Sequence, residues 1–312
     1  MTVPVFSGAD VERAVSPHEA YDAVKAAFIA HTKGEWTMPP KLYVTNYPAG
    51  DFRAMPALGG GHALLKWVTS FPGNPAKGLP TVTGLVLLSN AETGALEAIL
   101  SAAAVTALRT AAAGVIAAET LCRSGAESVS VIGCGVNGAE TARMFRALGS
   151  DVALWDVDGA RAAALAKLLG AHVAPSLGDA LAADIVVTVT PGREILFPAG
   201  SLRNGQHVSL MGADGPGKAE VATAELQRAD LFCDDWEQAS HGGELAAGVK
   251  AGIVTHDHVT ELGRVLTGDA EGRRSAEDIT LFDSTGLAIQ DLAIARAAFA
   301  KADALDLQRL SL

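Results

Sequence analysis

The chain has 312 residues, 49% of them hydrophobic and 19% charged, a globular composition long enough for one large domain or two ordinary ones. A formal net charge of −11 and a sequence pI of about 5.2 leave no expected attraction to nucleic acid or to a membrane surface. Cys122, Cys134 and Cys233 are odd in number and show no CxxC spacing, which fits a reducing cytoplasm and gives no metal site.

The opening "MTVPVFSGADVERA" has no basic segment leading into an apolar run, so no signal peptide is expected. "SPHEAYDAVKAAFIAHTKG" predicts a first helix, with Ser16 as N-cap, Pro17 at the first helical position and Gly34 at its end. Tyr21, Val24, Phe28 and Ile29 fall on one face. "KLYVTNY", "FRAMPAL", "HALLKWVTSF" and "PTVTGLVLLS" follow as strands separated by turn residues, which suggests an antiparallel sheet. After Glu97, "AILSAAAVTALRTAAAGVIAA" is expected to be one alanine-rich helix. Arg109 interrupts it, so it is expected to be buried in protein and not to span a membrane.

The rhythm then changes to strand–helix alternation. "SVSVIGCG", "DVALWDVD", "DALAADIVVTVTP", "GQHVSLMGAD" and "LFCDDW" carry apolar strands, with "AETARMFRALG" and "GARAAALAKLLG" as helices. Continuous apolar strands in this alternation indicate a parallel sheet covered on both faces. "ITLFDSTG" and the helical "LAIQDLAIARAAFAKADAL" close the chain. The expected class is α/β: a Rossmann domain over 114–285, inserted in a split α+β substrate-binding and dimerisation domain over 1–113 plus 286–312.

Gly133, Gly135 and Gly138 form G-x-G-x-x-G between a strand and a helix. The first glycine serves a tight turn, the second the approach of a pyrophosphate, and the third close helix–strand packing. Asp156 ends the next strand 18 residues past Gly138 (156 − 138), where an acid hydrogen-bonds the ribose 2′-hydroxyl. A carboxylate there repels a 2′-phosphate, so NAD is favoured over NADP, although Arg161 is near.

Lys66 in "ALLKWV" and Arg109 in the alanine-rich helix are cations in apolar surroundings. Either each pairs with an internal acid or reaches water, or both point into a cleft and hold an anionic substrate. Asp214 in "HVSLMGADGPGKAE" is either a turn residue or a carrier of chemistry. His256 and His258 in "HDH" have no evident third ligand and read as a solvated helix start. Cys134, Met38 and Met55 read as packing residues, and Ser240 with Gly243 matches no nucleophile elbow.

"ALRTAAAGVIAAETL", "VIGCGVNGAETA", "GADGPGKAE" and "ITLFDSTGLAIQD", in this order, resemble the ornithine cyclodeaminase/mu-crystallin family. The likeness runs from "MPPK" near residue 38 to the last helix. It implies a homodimer, a nicotinamide cofactor, and chemistry at a carbon bearing an amino or imino group beside a carboxylate. It implies Lys66 and Arg109 as carboxylate ligands, with Lys41, Arg53 and Thr285 near the substrate, and Asp214 with Lys66 in catalysis. It implies cofactor contacts from Thr81, Thr110, Val136, Asn137, Asp156, Thr190, Met211, Lys218 and Ser284, beside the three glycines. Two departures matter. The family's "PPR" reads "PPK" here, so Lys41 replaces a two-donor fork by a point charge. Arg53 and Ala54 stand where ornithine cyclodeaminase has an acid for the distal amine, and Arg53 would repel that ammonium. The expected activity is therefore an NAD-dependent amino-acid dehydrogenase or ketimine/cyclic-imine reductase. The alternatives are a true ornithine cyclodeaminase and a non-catalytic NAD(P)-binding protein.

Overall fold

The computed structural model describes residues 2–213, 215 and 217–312. Its first elements are β1 (Thr2–Phe6), α1 (Gly8–Ala14), α2 (Pro17–Thr32), β2 (Leu42–Asn46), β3 (Gly50–Gly59), β4 (His62–Ser70), β5 (Val82–Asn90), β6 (Leu96–Ser101) and α3 (Ala102–Leu121). Then come β7 (Val129–Ile132), α4 (Val136–Ala147), β8 (Val152–Trp155), α5 (Gly159–Leu169), β9 (His172–Val173), α6 (Leu177–Leu181), β10 (Ile185–Thr188) and β11 (His207–Leu210). The last are β12 (Asp230–Cys233), α7 (Trp236–Gly242), α8 (Leu245–Lys250), β13 (Val259–Glu261), α9 (Leu262–Thr267), β14 (Thr280–Asp283), α10 (Ala288–Phe299) and β15 (Gln308–Ser311). The chain divides into two compact units, Met1–Arg109 with Leu287–Leu312, and Thr110–Gly286.

The first unit holds a seven-stranded sheet in the order β15-β1-β6-β5-β4-β3-β2. Every pairing is antiparallel except β1 with β6. Period-2 alternation explains its two faces. On β4, Leu64, Lys66 and Val68 are buried while Leu65 and Trp67 are exposed. Met55, Lys66 and Val86 lie opposite one another across three strands, and α10 packs against β3, β4 and β5. Met55 is a core residue there, 4% exposed. The other face is apolar and open, with Leu42 (57%), Trp67 (43%) and Leu85 (52%) among its exposed residues. The expected cap of α2 is present: Ser16 Oγ accepts from the Glu19 N–H, and the Glu19 carboxylate accepts from the Ser16 N–H at 2.8 Å.

The alanine-rich run is not one helix. The first four residues of the alanine-rich run, 98–101, belong to β6 and not to the helix. Ala98 and Leu100 pair with Leu88 and Val86 on β5, so sheet register overrides helix propensity there. α3 begins at Ala102 and is long and apolar enough to cross a membrane by composition, but 78% of that stretch is buried within the protein.

The second unit holds eight parallel strands in the order β13-β12-β14-β11-β10-β7-β8-β9. β7, β10, β11 and β14 are buried at every position, as strands covered on both faces must be. The chain direction across the sheet reverses between β7 and β10, the point at which open α/β sheets collect ligands.

Candidate active site

The carboxyl ends of the parallel strands gather most of the expected cofactor residues on one edge. Gly133 follows β7, Asp156 follows β8, Thr190 lies just past β10, Met211 follows β11, and Ser284 and Thr285 follow β14. Gly133 sits at φ +97°, and a Cβ there would meet the Val189 carbonyl oxygen at 2.7 Å. A Cβ on Gly138 would fall 1.7 Å from the Gly133 carbonyl oxygen, so only glycine lets α4 pack on this turn. Gly135 is different. It is the N-cap of α4, with no side-chain cap among the described residues, and a Cβ there would meet none of their atoms within 4 Å. This open cradle at a helix N-terminus fits an anionic pyrophosphate. Val136 is 72% exposed at its rim, with Asn137 beside it.

Asp156 is 8% exposed and fixed from two sides. Its Oδ2 accepts the Cys134 N–H at 2.7 Å and its Oδ1 the Asp158 N–H at 2.8 Å. The Arg161 guanidinium stands 3.4 Å away. The carboxylate is thereby presented at the end of β8, with acceptor capacity left for a ribose hydroxyl. Cys134 donates weakly to the Trp155 carbonyl at 3.7 Å. Burial, with Asp156 nearby, pushes its thiol up to about 11, so it is an inert packing residue.

Two buried acids that the sequence reading passed over hold this edge together. Glu220 is wholly buried. It accepts the Thr188 hydroxyl at 2.5 Å and the Thr190 hydroxyl as well. Burial raises its pKa against the pull of those two hydroxyls. Asp234 accepts from the Ser284 hydroxyl at 3.2 Å, the Thr285 hydroxyl at 3.0 Å and the Gly286 N–H at 2.7 Å. The hydroxyls of Thr190, Ser284 and Thr285 are thus already committed to protein acids. Thr110 is buried on α3, and Lys218 is half-buried with its Cβ side near Gly192. Asp214 lies outside the described residues.

The first unit holds the cationic residues. Lys66 is 1% exposed, and its Nζ donates to Asp291 Oδ1 at 2.9 Å. Arg109 Nε approaches the same oxygen at 3.4 Å, and its Nη1 reaches Gln290 Oε1 at 3.4 Å. Asp291 and Gln290 are wholly buried on α10. Burial lowers Lys66 to about 8, with Asp291 pulling it back up and Arg109 and Arg53 pressing it down. Gln290 Nε2 is a buried donor without a hydrogen-bond partner among the described residues, and Arg109 Nε meets only the Asp291 carboxylate, at the long distance of 3.4 Å. Buried donors are normally satisfied, so these two mark capacity for an anion's oxygen.

Arg53 shares the Lys66 face, two residues along β3 from Met55. Its Nε donates to Asp51 Oδ1 at 2.6 Å, and it stacks over the Tyr43 ring at 5.3 Å. Arg53 is therefore not an isolated cation, and its repulsion of an ammonium is weaker than its charge alone implies. Lys41 is half-buried ahead of β2 and is held by an interaction of its own. Thr81 lies before β5 and accepts the Phe71 N–H at 2.8 Å through its carbonyl. Among the described residues no His, Cys, Asp and Glu cluster could hold a metal. His256–His258 form an exposed 3-10 turn.

Asp291 was detectable in principle. A Gln-Asp pair in an otherwise apolar helix stripe, in a chain with two unmatched apolar-flanked cations, calls for mutual pairing.

Known proteins resemble this chain along its whole length. The profile of the ornithine cyclodeaminase/mu-crystallin family matches residues 3–305. The alanine dehydrogenase of Archaeoglobus fulgidus is 41% identical over 309 residues, covering 97% of this chain and 96% of that protein. An archaeal alanine dehydrogenase dimer solved with bound NAD superposes with a TM-score of 0.94 at 39% identity, covering 100% of both chains. The Delta(1)-pyrroline-2-carboxylate reductase of Thermococcus litoralis, solved with NADH and L-proline, superposes with a TM-score of 0.92 at 26% identity, covering 99% of this chain and 100% of that one.

Proposed function

We propose that this chain, which belongs to the ornithine cyclodeaminase/mu-crystallin family, moves a hydride between a nicotinamide cofactor and the α-carbon of a small amino or imino acid. The observation that carries this reading is the pair of buried cations, Lys66 and Arg109, converging on one carboxylate oxygen, with the Gln290 amide beside them left without an acceptor. Two cations and one aspartate leave room for one further negative charge, which a substrate carboxylate supplies. NAD is the cofactor that the fixed Asp156 and the open Gly135 cradle favour, and when bound it supplies the hydride acceptor or donor.

The chain's own residues have four tasks. Gly133, Gly135 and Gly138 with the α4 N-terminus receive the pyrophosphate, flanked by Val136 and Asn137. Asp156 accepts from the adenine ribose, and Thr81, Thr110, Thr190, Met211, Lys218 and Ser284 line the rest of the cofactor's path. Lys66 and Arg109 orient the substrate by its carboxylate, assisted by Lys41, Arg53 and Thr285. Asp214 moves a proton on or off the substrate nitrogen, and Lys66, which burial lowers to about 8, shares in the proton transfer. Such positioned proton transfer contributes typically ~10²–10⁴-fold.

A dehydrogenase or imine reductase is favoured over a cyclodeaminase, because no acid replaces the distal-amine ligand at Ala54. The Arg53–Asp51 pair keeps the cyclodeaminase as the second reading, since Asp51 offsets the charge that would repel ornithine. The open apolar face of the first sheet, including Leu42, Val44, Leu58, Leu65, Trp67 and Leu85, is the surface a second copy would cover in a homodimer. The test is a substrate panel: amino acids with NAD, and 2-oxo acids plus ammonium or cyclic imino acids with NADH. Stoichiometric change in NADH supports the oxidoreductase. Ammonia from ornithine with no net NADH supports the cyclodeaminase. NAD binding without any turnover would overturn both.

A further inference from the structure

Asp291, the last residue of "ITLFDSTGLAIQD", has been given no role so far. We propose that Asp291 is a positioning residue: one of its oxygens holds Lys66 and Arg109 side by side, and its charge leaves them a single net positive charge for one substrate carboxylate. This inference rests on the reading of Lys66 and Arg109 as carboxylate ligands.

The geometry is specific. α10 packs its "LAIQDLAIARAAF" face on β3, β4 and β5, and Asp291 is 0% exposed within it. A carboxylate so buried requires partners. It meets Lys66 Nζ at 2.9 Å and Arg109 Nε at 3.4 Å, both through Oδ1. Gln290, the preceding residue, accepts from Arg109 Nη1 at 3.4 Å and from the Leu287 N–H at 3.2 Å through one oxygen. The start of α10 therefore clamps the guanidinium at two points and the ammonium at one. Asp291 Oδ2 has no hydrogen-bond partner among the described residues.

The charges facing Lys66 come from three elements: Asp291 on α10, Arg109 on α3, and Arg53 with its partner Asp51 on β3. β5 offers the apolar Val86 opposite. Of these, Asp291 favours the ammonium form, while burial, Arg109 and Arg53 oppose it. Neutralising Asp291 leaves two buried cations with no shared anion, so Lys66 sheds its proton at lower pH and meets the substrate uncharged.

The experiment compares wild type, Asp291→Asn and Asp291→Glu by KM, kcat and their pH dependence on a substrate identified by the panel, with NADH affinity as the folding control. Asp291→Asn is expected to move the alkaline limit of substrate binding down by at least about one pH unit, raising KM at that limit ~10-fold with kcat changed less. Asp291→Glu is expected to restore the alkaline limit while leaving KM raised, since the charge returns but is displaced by one methylene. Lysine-selective NMR titration of Lys66 in the cofactor-free protein reads the same effect without any substrate. It separates failure of this inference from failure of the functional reading. The inference is overturned if Lys66 titrates alike in wild type and Asp291→Asn, or if the two pH profiles superimpose. Should Asp291→Asn not fold, Asp291→Glu decides: a KM equal to wild type overturns it.

Discussion

The glycine turn permits a prediction in which two neighbouring substitutions have opposite signatures. In Gly138→Ala the new Cβ would start 1.7 Å from the Gly133 carbonyl oxygen, and ordinary contact begins at 3.4 Å. The α4 N-terminus and the turn must therefore separate by about 1.7 Å (3.4 − 1.7), and the obstacle is backbone, which no rotamer change relieves. Overpacking of this kind costs typically ~1–3 kcal/mol. At roughly 2–4 °C per kcal/mol for a unit of this size, the Tm of the cofactor-free protein should fall by about 2–12 °C. In Gly135→Ala the backbone stands at φ −73° and ψ −168°, which any residue adopts, and the Cβ enters open space. Loss of the glycine N-cap, about 1 kcal/mol, is offset by the stiffer unfolded chain, about 0.4–1 kcal/mol. The Tm should then stay within ~2 °C of wild type. Yet that methyl group occupies the space a pyrophosphate needs, so NADH affinity should fall on the order of 10-fold or more. Thermal denaturation and NADH fluorescence titration on the same samples provide both readouts. Wild-type NADH affinity in Gly135→Ala would refute the cradle. An unchanged Tm in Gly138→Ala would refute the packing.

Three further outcomes are expected. In its proposed role Lys66 binds a carboxylate as an ammonium, and burial lowers its titration to about 8. KM should therefore be flat below that pH and rise above it as the charge is lost; a KM independent of pH up to about 10 would contradict the role. Arg109→Ala should lower kcat/KM by about 10²-fold or more, because charged hydrogen bonds are worth about 1.5–3 kcal/mol each, and Arg109→Lys should recover only part, since the fork is gone. Equal activity in Arg109→Ala would remove it from the site. Asp156→Ser should raise the NADPH to NADH preference on the order of 10-fold, because it removes the repelling carboxylate and frees Arg161, which now stands 3.4 Å from it. An unchanged preference ratio would place cofactor selection elsewhere.

Much of the fold could be read from local pattern because local physics decides it. The apolar run "ALLKWV" marked β4 as a strand, and Ser16 with Pro17 announced the start of α2. The Gly133–Gly138 spacing carried its own steric meaning. β6 was hidden because its alanine and leucine suit a helix equally well, and its pairing with β5 decides the matter. β1 and β15 pair the two ends of the chain, which no local window can show. The candidate site divides along the same line. Lys66 and Arg109 stood out as charges in apolar runs. Their shared partner did not, because Asp291 lies 225 residues from Lys66 in sequence. Glu220 and Asp234 escaped for a related reason: their partners are hydroxyls and backbone N–H groups, a pattern that exists only once the loops are folded.

In the proposed reaction, hydride passes between the nicotinamide and the substrate α-carbon, with Asp214 handling the proton. The most direct measurement uses NADH deuterated at the transferring C4 position with an accepted imino acid or 2-oxo acid plus ammonium, reading the product by mass spectrometry and NMR. One deuterium at the α-carbon per NADH consumed is expected, with transfer slowed on the order of 10²-fold or more in Asp214→Asn. Product without deuterium at that carbon, or full-rate transfer in Asp214→Asn, would contradict the account.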